Sequence, residues 1–129
     1  MTEEGRREAA AEELRLAVEE LRAADYLLAG GLTRVALTRA YFCAFHAVRA
    51  LLYANNLEPR SHTGVQHLFS VHFVRPGRFS AGDARLLSRL QKYREDADYG
   101  VSSVAEESAT RSDLDAVRDL LMRVRAALG

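Results

Sequence analysis

The chain has 129 residues, 48% of them hydrophobic and 28% charged, and a formal net charge of zero. This length indicates a single domain over residues 1–129, and the composition is typical of a globular protein. No uncharged stretch is long enough to cross a bilayer, and the polar start is unlike a signal peptide. The single cysteine, Cys43, excludes an internal disulfide bond. We expect a cytoplasmic protein with no membrane partner.

The zero net charge conceals a basic middle block between two acidic ones. Residues 1–25 and 95–129 each carry a net charge of −4, whereas residues 34–94 carry +8. One interpretation is three solvated faces of unequal charge. The other is a basic surface suited to an anionic ligand or an acidic partner.

The first two predicted helices are long. Apolar residues at helical spacing run from about residue 4 to residue 28, and Gly30-Gly31 ends this helix. The second helix should run from about 32 to 56, where Asn55-Asn56 weakens it. Because the second helix is apolar nearly all round, we place it at the centre of the fold.

Three further helices follow, and each begins at a residue whose side chain can cap a helix N-terminus. The capping residues are Ser61 for a helix over 65–74, Ser80 with Asp83 for a helix to about 97, and Ser103 with Glu106 for the last helix. No strand pattern of useful length appears. The predicted fold class is therefore all-α, a five-helix bundle with two long helices near its start.

The stretch RAYFCAFHAVRALL, residues 39–52, places an arginine and a histidine in the most apolar part of the chain. At 100° per residue, Arg39 and His46 lie about 20° apart around the helix and roughly 10 Å apart along it. The residues expected on the same stripe are Cys43, Ala50 and Tyr53, with Phe42 and Arg49 on its flank. We expect this second face of the helix to meet another chain or to line a groove.

Arg39 and His46 have two interpretations. An arginine binds phosphate through its fork of donors, and a histidine can move a proton near neutral pH, so together they can cleave RNA without a metal. A two-fold dimer would bring two such pairs to one cleft and supply both an acid and a base. Alternatively, Arg39 pairs with a carboxylate such as Asp98, and His46 is a hydrogen-bonded core histidine.

The other histidines and the cysteine give weaker signals. His62, His67 and His72 are spaced by five residues, whereas metal chelation on a helix needs three or four. Cys43 beside His46 is more typical of a buried thiol than of a nucleophile. We therefore expect no metal site and no cofactor.

The stretch KYREDADYG, residues 92–100, closes the fourth predicted helix. One interpretation is a charged helix end with Tyr99 packed beneath it. The other is that Arg94 and Tyr99 extend the basic groove while Asp98 orients an arginine. In that case Arg49, Arg94 and Tyr99 are the expected substrate-binding residues.

Three blocks in this order and spacing resemble the HEPN domain: RAYFCAFHAVRALL, EPRSHTGVQHLFSVHFV and YREDADYG. The resemblance covers roughly residues 10–128 and is to short stand-alone prokaryotic HEPN proteins of the nucleotidyltransferase-associated type. It implies a bundle with two long antiparallel helices and a homodimer. Many members are metal-independent ribonucleases with an arginine, four to six residues, and a histidine, which Arg39 and His46 match with six residues between them.

The same resemblance implies that Arg39 and His46 are catalytic, line a cleft at the dimer interface, and act on RNA. Such proteins are often toxins encoded beside a nucleotidyltransferase antitoxin. Two positions depart from the family pattern: Ala40 stands where active members often carry Asn or Asp, and Val48 where AMP-modified members carry tyrosine. The alternative is therefore a non-catalytic HEPN module that binds a nucleotide, RNA or a nucleotidyltransferase.

Overall fold

The computed structural model of the chain describes residues 1–99 and 106–129. Within these ranges it contains five α-helices, one π-helical turn and no strand. In chain order the helices are α1 (Glu3–Ala29), α2 (Thr33–Ala54), α3 (His62–Phe69), α4 (Ala81–Asp98) and α5 (Glu107–Leu128), with the π-helical turn Ser70–Val74 continuing α3. The prediction of an all-α, five-helix fold is confirmed.

The turns after α1 and α2 use residues that tolerate a left-handed backbone. Gly31, with φ at 79°, follows the end of α1 close to its predicted position. Asn56 has φ at 59°, and α2 ends at Ala54 rather than at residue 56. Asparagine is among the few residues that adopt this conformation readily, which explains the earlier end of the helix.

Serine caps begin α3 and α4. The Ser61 hydroxyl accepts a hydrogen bond of 2.9 Å from the Gly64 amide, so α3 starts at His62, three residues before the predicted position. At α4 the Ser80 hydroxyl accepts from the Asp83 amide at 3.1 Å, and the Asp83 carboxylate accepts from the Ser80 amide at 2.9 Å. The predicted capping box of α4 is therefore present.

The start of α5 differs from the prediction. Ser103, the expected cap, lies outside the described residues. Glu106 has an extended backbone, with φ at −71° and ψ at 138°, and serves as the N-cap of a helix that begins at Glu107. Glu106 is therefore not a residue of the first helical turn, as a capping box with Ser103 would require.

Helix α2 is the centre of the fold and packs against each of the other four helices, most extensively against α1. Its length and composition would suit a membrane span, but 67% of its most apolar 18-residue segment is buried inside the bundle. The core is filled by Tyr41, Leu51 and Leu52 of α2 itself, together with Phe69 of α3 and Phe73 of the π-helical turn. Burial by its neighbours accounts for the apolar composition of α2.

One side of α2 reaches the surface, and we call it the α2 stripe. It consists of partly exposed or edge residues at intervals of three and four: Arg39, Phe42, His46, Arg49 and Tyr53. The expectation that Cys43 and Ala50 share this face is wrong, because both are completely buried. Cys43 lies about 40° from Arg39 in the direction opposite to Phe42. The edge of the core therefore runs between Arg39 and Cys43.

Asp83 joins the start of α4 to α5 through an arginine. Its carboxylate, 9% exposed, accepts hydrogen bonds of 2.7 and 2.8 Å from two nitrogens of Arg123. These hydrogen bonds are the main cause of a lowered pKa at Asp83, and the Ser80 amide adds to the effect while burial opposes it. The folded protein therefore binds a proton at Asp83 less readily than the unfolded chain does.

We expect Asp83→Asn to lower the free energy of unfolding by about 1–3 kcal/mol at pH 7, since it removes the negative charge that binds Arg123 in a largely buried position. The Asp83 contribution is complete above the ordinary aspartate pKa of about 3.9 and is lost as the pH falls through the lowered value. Urea unfolding of both proteins at pH 7 and pH 3 should therefore show a difference that shrinks in acid.

Asp119→Asn is the matched control. The Asp119 carboxylate also binds Arg123, at 2.9 Å, but is 66% exposed. An exposed ion pair contributes up to about 1 kcal/mol, so this variant should lose less stability than Asp83→Asn. An equal loss of stability in the two variants would contradict this role of Asp83. A loss in Asp83→Asn that is as large at pH 3 as at pH 7 would also contradict it.

Candidate active site

His46 is held by a carboxylate from α1. Its Nδ1 lies 2.6 Å from a carboxylate oxygen of Glu13, and both side chains are largely buried, at 15% and 10% exposed. A carboxylate that accepts a hydrogen bond from Nδ1 fixes the ring orientation and leaves Nε2 as the nitrogen for proton transfer. The other oxygen of Glu13 lies 3.4 Å from Arg49. Glu13 therefore links two residues of the α2 stripe.

Arg39 also has a partner on α1. One of its terminal nitrogens lies 3.1 and 3.0 Å from the two carboxylate oxygens of Glu20. The guanidinium group also lies 5.0 Å from the centre of the Phe42 ring. The interpretation that Arg39 pairs with a carboxylate is correct in kind, but the suggested partner, Asp98, is wrong. Asp98 instead accepts a hydrogen bond of 3.1 Å from Arg94.

These contacts form a regular pattern between the two long helices. Glu13 and Glu20 are seven residues apart on α1, and they face His46 and Arg39, which are seven residues apart on α2. The two pairs run in opposite chain directions, so α1 and α2 are antiparallel, as the family resemblance implies. The seven-residue spacing places Glu13 and Glu20 on one side of α1, but the sequence does not show that this side faces α2.

Arg49 continues the α2 stripe by one turn. One of its terminal nitrogens donates a hydrogen bond of 2.6 Å to the Tyr53 hydroxyl. Its guanidinium group lies 5.3 Å from the ring centres of Phe45 and Tyr53. These contacts fix the arginine beside His46, where it can meet an anionic ligand.

Arg94 reaches the same region from α4. Its guanidinium group lies 5.7 Å from the ring centres of both Tyr41 and Phe42. Arg39 stacks on the same Phe42 ring, so this ring brings Arg39 and Arg94 together. The Nε atom of Arg94 is buried and has no hydrogen-bond partner among the described residues.

Tyr99 lies at the C-cap of α4, and its side chain is 84% exposed. The interpretation that it packs beneath the helix end is therefore wrong. An exposed phenol is available to a ligand or to another chain. Its role in substrate binding remains a prediction.

The three site arginines lie within ion-pair distance of carboxylates. The pairs are Arg39 with Glu20, Arg49 with Glu13, and Arg94 with Asp98. The acidic residues of α1 thus neutralise part of the positive charge that residues 34–94 bring to the site. An anionic ligand at the α2 stripe would have to compete with these carboxylates for the arginines.

A second histidine lies beside the α2 stripe. His62, the first residue of α3, hydrogen-bonds through Nδ1 to the buried Tyr41 hydroxyl and stacks on Phe45 with ring centres 4.4 Å apart. Burial lowers the pKa of His62, and the nearby Arg94 and Arg49 lower it further. The sequence spacing pointed to His62 only as a metal ligand. Its contacts with Tyr41 and Phe45 depend on the fold and were not readable from spacing.

Cys43 and the remaining histidines do not join the site. The Cys43 side chain is completely buried, and burial raises the pKa of its thiol to about 12, so it stays protonated at neutral pH. His67 and His72 are exposed on and after α3. Across residues 1–99 and 106–129, no three metal-ligating side chains come together.

The HEPN domain model matches residues 10–127 of the chain, which is nearly the whole of it. The chain belongs to the HEPN family. The expected resemblance is confirmed, and the helical bundle with its antiparallel α1 and α2 agrees with it.

Three relatives are similar to this HEPN protein over half of its length or more. A Methanocaldococcus jannaschii protein named "Putative toxin" is 36% identical over 96 residues, 74% of this chain and 72% of that protein. A Thermotoga maritima UPF0332 protein is 30% identical over 120 residues, 88% of this chain and 91% of that protein. A Pyrococcus horikoshii UPF0332 protein is 42% identical over 64 residues, 50% of this chain but only 45% of that protein.

The two departures from the family pattern both lie in the core. Ala40 and Val48 are completely buried on α2. The residue after Arg39 therefore points into the bundle rather than along the α2 stripe. A tyrosine at position 48 would likewise be enclosed by the core, so this chain offers no accessible side chain there for modification.

Proposed function

We propose that this HEPN protein is a toxin that cleaves RNA without a metal, acting as a homodimer through Arg39 and His46. The observation that carries the proposal is the hydrogen bond from His46 to Glu13. It leaves the second ring nitrogen of His46 for proton transfer, on the same helix stripe as an arginine. The relative named "Putative toxin" and the family match support the toxin role.

The chemistry follows from these groups. Nε2 of one His46 takes the proton of the ribose 2′-OH, and the 2′ oxygen then attacks the adjacent phosphorus. The bond from phosphorus to the 5′ oxygen breaks, and the leaving oxygen receives a proton from the protonated His46 of the second chain. Arg39 stabilises the extra negative charge on the phosphorane. The products are a 2′,3′-cyclic phosphate and a 5′-hydroxyl.

The homodimer is part of this proposal because two proton transfers need two groups. A two-fold axis near the α2 stripe would bring both copies of Arg39 and His46 to one cleft. The partly exposed Phe42, between Arg39 and His46 on the stripe, offers an apolar contact for the second copy. A nucleotidyltransferase is the proposed antitoxin, which would cover or modify the same face.

The test is incubation of the purified protein with single-stranded RNA, with and without a metal chelator. We expect fragments ending in 2′,3′-cyclic phosphate, formed at the same rate in both conditions. The matched control is a deoxyoligonucleotide of the same sequence, which lacks the attacking 2′-OH and should stay intact. Cleavage that the chelator abolishes, cleavage of the DNA, or no cleavage at all would refute the proposed reaction.

A second function is favoured by the ion pairs of the site. Because Glu20 and Glu13 already pair with Arg39 and Arg49, these arginines are less available to stabilise a phosphorane. In this second function the α2 stripe binds a nucleotide, an RNA or a nucleotidyltransferase without chemistry. Stable binding of RNA to an intact dimer that leaves the RNA uncut would support this function over the first.

A further inference from the structure

A cavity of about 200 Å³ lies beside the α2 stripe, between the C-terminal half of α2 and the start of α3. The residues that line it include Phe45, Arg49, Arg60, Ser61 and His62. Pockets that hold drug-sized ligands measure roughly 300–1,000 Å³. This cavity is therefore suited to a small group such as a phosphate, rather than to a whole nucleotide.

His62 lines the cavity, and its ring is fixed on two sides. The Tyr41 hydroxyl is buried, and burial raises the pKa of its phenol, so it keeps a proton that it can donate to Nδ1 of His62. One face of the imidazole stacks on Phe45 at 4.4 Å, with the rings 24° from parallel. With Nδ1 as the acceptor of this hydrogen bond, the proton of the neutral ring is on Nε2. His62 therefore offers the cavity an N–H donor.

Burial and the neighbouring positive charges favour the neutral form of His62. Burial is the main cause of its lowered pKa, Arg94, Arg49 and His46 act in the same direction, and Glu95 opposes them. A neutral imidazole whose proton is on Nε2 cannot accept a second proton at that nitrogen. His62 is thus a hydrogen-bond donor and is chemically distinct from His46, which the proposed reaction uses for proton transfer.

Two arginines complete the lining. Arg49 follows His46 by three residues on α2, and its guanidinium group is held over Phe45 at 5.3 Å. Arg60 is exposed, and none of the ion pairs among the described residues includes it. Arginine is the side chain best matched to phosphate, because its planar fork can bind two oxygens at once.

We propose that His62, Arg49 and Arg60 form a subsite that binds a phosphate of single-stranded RNA next to the phosphate held by Arg39 and His46. The identity of the strand as RNA rests on the proposed function, whereas the phosphate chemistry rests on the cavity alone. The subsite would set the position of the strand along the α2 stripe. It takes no part in bond breaking, so its loss should raise KM and leave kcat nearly unchanged.

The first experiment measures binding rather than cleavage. A fluorescent single-stranded deoxyoligonucleotide carries the same phosphates as RNA but has no 2′-OH, so it reports the subsite whether or not the protein is a ribonuclease. We expect Arg60→Ala to weaken its binding about fivefold, near the upper limit for one exposed charge contact, and to reduce the salt dependence. His62→Gln should weaken binding by about tenfold, as expected for a hydrogen bond to a charged group.

Arg34→Ala is the matched control, since Arg34 is exposed at the opposite end of α2. It should change the affinity by less than about twofold, although it removes the same charge. Arg60 is a surface residue, so Arg60→Ala remains informative even if His62→Gln unfolds the protein. Wild-type affinity in Arg60→Ala, or an equal loss in Arg34→Ala, would overturn the subsite.

The second experiment follows the His62 ring nitrogens by ¹⁵N NMR at pH 7. We expect the Nε2–H tautomer in the free protein and a shift of Nε2 when the deoxyoligonucleotide is added. Inorganic phosphate should produce the same shift only at much higher concentration, because it lacks the neighbouring phosphates of a strand. A proton on Nδ1, or equal affinity for inorganic phosphate and the strand, would contradict the proposal. If Arg60→Ala and His62→Gln cleave RNA with the wild-type KM, the subsite proposal is wrong and the ribonuclease proposal is still supported.

Discussion

Replacing His46 with alanine should lower the rate of RNA cleavage by about 10²–10⁴-fold, the range typical for loss of a positioned general acid or base. In the proposed dimer both proton transfers use this residue, so the loss should fall towards the upper end. Arg39→Ala should cause a loss of similar size, since it removes the only proposed cation at the phosphorane. The measurement is the single-turnover cleavage rate at saturating protein, with folding checked by circular dichroism.

Two further variants sharpen this result. His67→Ala removes an exposed histidine of α3 and should leave the cleavage rate unchanged. Glu13→Gln keeps the size of the side chain that holds His46 but removes its charge, so it should give a loss smaller than that of His46→Ala. If His46→Ala cleaves as fast as His67→Ala, His46 is not the proton-transfer group.

Local sequence signals predicted the helices well. The apolar spacing of α1 and the apolar composition of α2 depend on residues three or four positions apart, so no knowledge of the fold is needed. The capping box at Ser80 and Asp83 is equally local and was found in the predicted form. The errors lay at helix ends, where the backbone conformation of one residue determines where the helix stops, as at Asn56 with its positive φ.

Local sequence signals could not identify the partners of the site residues. Glu20 lies 19 residues before Arg39, and Glu13 lies 33 residues before His46. Which acids reach α2 depends on the direction and register of α1 against it, and spacing within one helix does not determine either. The mistaken choice of Asp98 for Arg39 has this cause, because Asp98 is engaged four residues away by Arg94.

The face of α2 was predicted only in part. Helical geometry correctly placed Arg39 and His46 on one side, but it could not show where the core ends around the helix. A shift of that edge by about 40° decides whether Cys43 or Phe42 belongs to the surface. The helices that pack beside α2 determine this edge, and their contacts became visible only in the folded chain.

The burial of Ala40 changes what its departure from the family pattern means. Active members often carry Asn or Asp after the arginine, which suggests that Ala40 has removed a catalytic group. In this chain, however, Ala40 is completely enclosed by the core cluster and lies away from the α2 stripe. A polar side chain at position 40 would therefore have to be buried without a partner, or the helix would have to rotate.

We accordingly expect Ala40→Asn to lower the free energy of unfolding by about 2–5 kcal/mol, from overpacking and from an unpaired buried amide. Cleavage per folded molecule should not increase. Urea unfolding and the cleavage assay on the same samples measure both quantities. Ala116→Asn, at an exposed position of α5, should cost under about 1 kcal/mol through helix propensity alone. An Ala40→Asn protein that is as stable as the wild type and cleaves RNA faster would mean that position 40 faces the substrate after all.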